Sequence, residues 1–152
     1  MTHAGCVGLL KKIGRCNGFY VDDGIKLGKM YHLGNPDCVW YFDCKGNEPL
    51  MKIVKGDTCK EIDCRKTHGE YRYLPLVAFE VPNSEHEKAL RGSLMSLQLA
   101  NASASVIVLI GKSAGKHELY THKLTGRFSS MRLRIWTEDY MVGLARRLHI
   151  EQ

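Results

Sequence analysis

Apolar and polar positions follow two different periods along this chain, and the changes of period mark its elements. Between residues 4 and 16, Val7, Leu10 and Ile13 fall at helical spacing with Lys11, Lys12 and Arg15 on the other side. That pattern predicts an amphipathic helix, and Asn17-Gly18 ends it. "FYVDDGIKLGKMYHL" predicts a strand and a turn, with Asp23-Gly24 as the candidate hairpin turn. Pro36 to Cys44, "PDCVWYFDC", is a second strand, opened by Asn35-Pro36 and closed by Lys45-Gly46-Asn47. Residues 45–74 are polar, with "MKIVKG" as a short candidate strand. They read as an insertion between two core strands, because "LPLVAFEV" resumes a strongly apolar strand.

The clearest local signal follows that strand. Ser84-Glu85-His86-Glu87 has the Ser-x-x-Glu form of a capping box, and Ala89, Leu90, Leu94, Leu97 and Asn101 then share one helical face. The predicted helix runs to about Ala102, and "SVIVLIG" is a strand buried on both faces. Strand, helix and strand in this order make a right-handed crossover, so "LPLVAFEV" and "SVIVLIG" should be parallel. "MRLRIWTEDYMVGLARRLHI" supplies a fifth strand and a closing helix begun near Thr137. The expected fold class is α/β: a central mixed sheet flanked by helices, in the order helix, three strands, helix, strand, strand, helix. Residues 1–152 form a single expected domain, without internal repeat or low-complexity tract.

Composition refines this picture in three places. No apolar run approaches the roughly 18 residues that span a bilayer, and the first segment places apolar residues before basic ones, the wrong order for a signal peptide. No membrane partner is expected, and the default location is the cytoplasm. Lys and Arg total 22 against 16 acidic residues, a formal charge of +6. Lys112, Lys116, Lys123, Arg127, Arg132 and Arg134 are opposed only by Glu118 over that stretch, a candidate phosphate-facing surface or a solvated loop. Of the six cysteines, Cys38 and Cys44 form one spaced pair and Cys59 and Cys64 another. Both spacings are wider than the tight pairs of structural zinc sites, so zinc, disulfides and plain buried thiols all stay open.

Two carboxylates stand out by position. Asp37 begins one apolar strand and Glu80 lies near the end of another. Alternation puts Leu76, Ala78 and Glu80 on one face, and Val77, Phe79 and Val81 on the other. If the two strands are antiparallel neighbours, Asp37 and Glu80 meet at one margin of the sheet. Converging carboxylates repel, which favours a hard divalent cation. The alternative is that Asp37 caps a turn and Glu80 leaves the strand into solvent. His68 and His86 are further candidate donors, Trp40, Tyr71 and Tyr73 candidate stacking groups or core, and Met30, Met95 and Met131 core fillers.

"NPDCVWYFD", then "PLVAFEV", then the helix "EHEKALRGSLMSLQLA" resembles the PD-(D/E)xK nuclease superfamily. The preceding "LLKKIGRCNGF" is similar to the first helix of Holliday-junction resolvases. The resemblance spans most of residues 5–111 and implies a restriction-endonuclease-like core of αβββαβ order. It also implies an endonuclease that cuts DNA with Mg2+ or Mn2+ and acts as a homodimer. Asp37 matches the family aspartate and Glu80 the acidic residue of the (D/E)xK pair, with the Val81 carbonyl as a third metal oxygen. Where the family has lysine, two residues after Glu80, this chain has Pro82. Some relatives supply the lysine from the following helix. That makes Lys88 the candidate substitute if it turns inward, and a solvated helix residue otherwise. No glutamate stands in the first helix, and Gln98 lies on the second. The same departure leaves open a non-cleaving relative that keeps the fold and a DNA surface, or an interaction protein built around the cysteines.

Overall fold

The computed structural model describes residues 1–22, 36–43, 73–82, 87–100, 102–111 and 132–150. It begins with helix α1, His3–Cys16, whose buried Cys6, Leu9, Leu10, Ile13 and Gly14 fall three and four residues apart on one stripe. The Thr2 hydroxyl accepts from the Gly5 amide at 3.1 Å, satisfying one of the first-turn donors. At the other end Phe19 N donates to Gly14 O and Gly18 N to Arg15 O, both at 3.0 Å. This is a Schellman stop, and Gly18 at φ 78° takes its left-handed position.

Five strands follow: β1 (Tyr20–Asp22), β2 (Cys38–Asp43), β3 (Tyr73–Glu80), β4 (Ala104–Leu109) and β5 (Leu133–Thr137). Helix α2, Glu87–Ala100, joins β3 to β4, and α3, Glu138–Arg147, closes the described chain. The strands lie in the order β1-β2-β3-β4-β5. β1 and β2 are antiparallel, as are β2 and β3; β3 and β4 are parallel, as are β4 and β5. The molecule is thus an α/β protein with a mixed five-stranded sheet flanked by helices, and its element order is the expected one.

The period of two sorts side chains between two cores. Cys38, Trp40, Phe79, Val81, Val106 and Val108 pack with Cys6, Leu10 and Ile13 of α1 and Met141 and Ala145 of α3. Val39, Tyr41, Ala78, Ile107 and Leu109 pack with Leu90, Leu94 and Leu97 of α2 on the other face. A sheet covered on both sides explains the near-continuous apolar run of β4. Trp40 is core: its ring stacks on Phe19 at 5.5 Å, tilts against Phe79 at 4.5 Å, and its Nε1 donates to Leu10 O at 3.1 Å. Gly14 makes room for it, since a Cβ there would stand 2.5 Å from Trp40 Nε1.

Some expectations shift. α2 ends at Ala100, before Ala102, and Met95 is 50% exposed, on the solvent face of α2 and not in the core. The hairpin turn at Asp23-Gly24, the candidate strand "MKIVKG", Ser84 of the capping box, Asn101, Met30 and Met131 all lie outside the described residues. Among the described residues no helix is long and apolar enough to cross a membrane.

Candidate active site at the carboxyl end of β3

The antiparallel register of β2 and β3 pairs Cys38 with Phe79, so the residue before one strand, Asp37, lies level with Glu80 at the end of the other. Asp37 Oδ2 accepts from the Val81 amide at 2.8 Å, which ties the entry of β2 to the exit of β3. Glu80 is only 8% exposed. Its side chain hydrogen-bonds to the Asp37 carboxyl and receives hydrogen bonds from the hydroxyls of Ser96 and Ser93 on α2. The two carboxyl groups therefore converge at the end of the sheet.

That environment acts on Glu80's proton. Burial, the largest cause, pushes its pKa up from 4.5 to about 7. The negative charge of Asp37 and the carboxyl–carboxyl hydrogen bond push the same way, whereas the Ser96 and Ser93 hydroxyls favour the anion and pull it down. Near neutral pH Glu80 is therefore only partly ionised.

A third side chain reaches the pair from the opposite helix layer. His3, the first residue of α1, places Nε2 at 3.3 Å from Asp37 Oδ2. Nε2 is closed off from water and makes no hydrogen bond, although the ring as a whole keeps 31% side-chain exposure. The pair is within ion-pair distance, but the nitrogen lacks an aligned acceptor. The nitrogen therefore lies beside the Asp37 carboxylate, and no contact joins it to Glu80. Among the described residues no group of three or more His, Cys, Asp or Glu side chains could hold a metal ion.

The remaining candidates are distributed elsewhere. Lys88 is exposed on α2, as are Gly92, Met95 and Gln98, whereas Ser93 and Ser96 face Glu80. The structure does not bring Lys88 to the carboxylates, because a helix that buries Leu90, Leu94 and Leu97 turns position 88 toward solvent. Arg132 and Arg134 are exposed at the outer strand β5. Arg134 pairs with Val106, so it shares the sheet face of α1 and α3, opposite to that of Glu80, and it donates to the Leu133 carbonyl at 3.3 Å. Lys112, Lys116, Lys123 and Arg127 lie outside the described residues, as do His68, Tyr71, His86 and the side chain of Tyr73.

Cys6 and Cys38 are buried free thiols, and Cys16 is an exposed one. Burial raises the pKa of Cys38 from 9.0 to about 12, more than the nearby Lys11 charge and the Trp40 hydrogen bond lower it. Burial also raises Cys6 to about 12, with Glu138 and Asp37 adding to the effect. Cys38 is thus a buried free thiol whose burial favours the protonated form. Cys44, Cys59 and Cys64 lie outside the described residues.

Sequence reasoning missed three members of this site. Ser93 and Ser96 carried a usable signal: hydroxyls set three apart beside the buried stripe of a helix require partners, and the preceding strand ends in a glutamate. His3 carried none, since only the docking of α1 brings it to Asp37. No family model matches the chain, and neither any curated protein nor any solved structure does.

Proposed function

We propose that this chain is a divalent-cation-dependent endonuclease acting on DNA, with Asp37, Glu80 and the Val81 carbonyl as oxygen donors for Mg2+ or Mn2+. The observation that carries it is the meeting of Asp37 and Glu80, with Glu80's ionisation held back by burial and by its neighbour. Two acids that destabilise each other's charge gain most from a cation placed beside both. The element order and the mixed sheet, with the pair at the carboxyl end of β3, agree with a restriction-endonuclease-like core.

A bound divalent ion supplies charge neutralisation at a phosphodiester oxygen and lowers the pKa of a coordinated water. The protein's own part is positional. The Val81 amide holds the Asp37 carboxylate, and the Ser93 and Ser96 hydroxyls hold Glu80. Arg132 and Arg134 would meet phosphates away from the carboxylates, adding affinity without sequence preference. Lys88 has no role in this arrangement. Cutting both strands of a duplex requires two such sites, so a two-fold dimer belongs to the proposal.

A second reading has its own observation. Pro82 stands where the lysine of such nucleases stands, and Lys88 faces solvent, which favours a non-cleaving DNA-binding or assembly module on the same fold. Plasmid nicking with Mg2+ or Mn2+, wild type beside Glu80→Ala, separates the two. Cation-dependent nicking lost in the variant supports the endonuclease. Salt-sensitive DNA binding with no nicking by either protein assigns the chain to the second class.

A further inference from the structure

Helices α1 and α3 lie side by side and run in the same direction. The Met1 amino group meets Glu138 Oε1 at 2.7 Å at their amino ends, and Cys6 Sγ lies 3.6 Å from Met141 Sδ further along. Their carboxyl ends also meet, around an open hollow of about 450 Å³ lined by Lys12, Arg15, Cys16, His149 and Ile150. Arg146 and Arg147 stand next to it in the last turn of α3, and all five of these basic residues are exposed. Basic residues at helix ends have an ordinary use, which is to offset the helix dipole. Two carboxyl ends carry about half a negative charge each, so about one cation in all suffices for that. Among the described residues Arg15, Arg146 and Arg147 make no ion pair, which leaves a surplus of about two charges. Setting Glu151 of the sequence against Lys12 leaves that surplus unchanged. His149 adds an imidazole from a left-handed backbone position, φ 54°, that favours glycine.

We propose that this hollow is a binding surface for the sugar–phosphate backbone of nucleic acid, separate from the carboxylate pair. Surplus charge attracts a polyanion, and guanidinium groups on two helices suit phosphates, whose oxygens accept from their paired donors. Such contacts grip the backbone without choosing a sequence. An anionic lipid surface is the poorer fit, because membrane-surface helices set large apolar side chains opposite their cations along the whole helix. Here the large exposed apolar residues of these two helices, Met1 and Tyr140, stand at their amino ends. Arg15 lies about 18 Å along α1 from His3, which stands beside Asp37. A surface that far from the carboxylates holds DNA whether or not they cut it, so the two readings fail separately.

Fluorescence anisotropy of a labelled mixed-sequence DNA duplex, added to the full chain in chelator, tests this. Arg15, Arg146 and Arg147 are changed together to Gln and, in a second variant, together to Lys. The Gln variant should bind at least about 10-fold more weakly at about 0.1 M salt, and its slope of log affinity against log salt should fall by about 3. The Lys variant keeps the charge and should keep the slope. A second readout needs no variant. Cys16 is an exposed thiol in the hollow, so bound duplex should slow its alkylation by iodoacetamide severalfold, followed by peptide mass spectrometry. A wild type that binds no duplex, an unchanged affinity and slope in the Gln variant, or a Cys16 alkylated as fast under saturating duplex overturns the assignment. Protection of Cys16 by phosphatidylserine vesicles or poly-glutamate, and not by duplex, overturns it in favour of that partner. Duplex bound here with no nicking under Mg2+ or Mn2+ upholds this surface while the endonuclease reading falls.

Discussion

Replacing Glu80 with glutamine measures how much the buried carboxyl destabilises the fold. The side chain keeps its size, and an amide can still accept from Ser93 or Ser96 and donate to Asp37. Only the ionisation is lost. Glu80's pKa is raised from 4.5 to about 7 in the folded chain, so the folded state holds its proton more tightly than the unfolded state does. The associated stability is fully present below pH 4.5, falls as pH rises toward about 7, and is absent above that. At about 1.4 kcal/mol for each pH unit, the difference amounts to about 3 kcal/mol. For a chain of this size that corresponds to a melting shift of roughly 6–12 °C. Urea denaturation in chelator, followed by far-ultraviolet circular dichroism from pH 4.5 to 8, should show wild type losing stability across that window while Glu80→Gln stays flat. The variant should be the more stable protein at pH 8. A constant gap between the two at every pH, or a variant less stable at pH 8, would refute the assignment of Glu80 as a buried, charge-strained acid.

Other outcomes follow from single contacts. Gly14→Ala places a methyl against Trp40 and Val21 and should cost roughly 1–3 kcal/mol, read as a lower denaturation midpoint with an unchanged slope. His149 occupies the left-handed position of a Schellman stop after α3, with φ 54° and Ile150 N donating to Ala145 O at 3.0 Å. His149→Gly should therefore stabilise by about 1 kcal/mol, seen as a melting point higher by a few degrees. Removing both hydroxyls with Ser93→Ala and Ser96→Ala withdraws the two groups that favour the Glu80 anion. Carbon-13 NMR titration of the Glu80 carboxyl should then show a pKa above that of wild type.

The architecture was legible because burial on two faces leaves a strong mark on sequence. Val77, Phe79 and Val81 face α1 and α3, while Ala78 and Glu80 face α2, as a period of two requires. The parallel crossover through α2 and the start of the last helix at Thr137 follow equally from pattern and chain geometry. The level placement of Asp37 and Glu80 needed one assumption, that β2 and β3 are antiparallel neighbours, and the register satisfies it. Lys88 was decidable from the helical wheel alone. It falls on the side of Gly92 and Met95, and of the two readings left open for it, inward lysine or solvated helix residue, the structure shows the second. His3 was not legible, since its approach to Asp37 depends on how α1 docks across the sheet and on no local spacing.

The central claim is that a divalent cation belongs between two acids distant in sequence, and locating the ion tests it most directly. Anomalous scattering from a crystal soaked in Mn2+ should place one peak per chain within about 2.5 Å of both the Asp37 and the Glu80 carboxylate oxygens. A peak elsewhere, or an empty map at that position with Mn2+ in excess, would contradict the account.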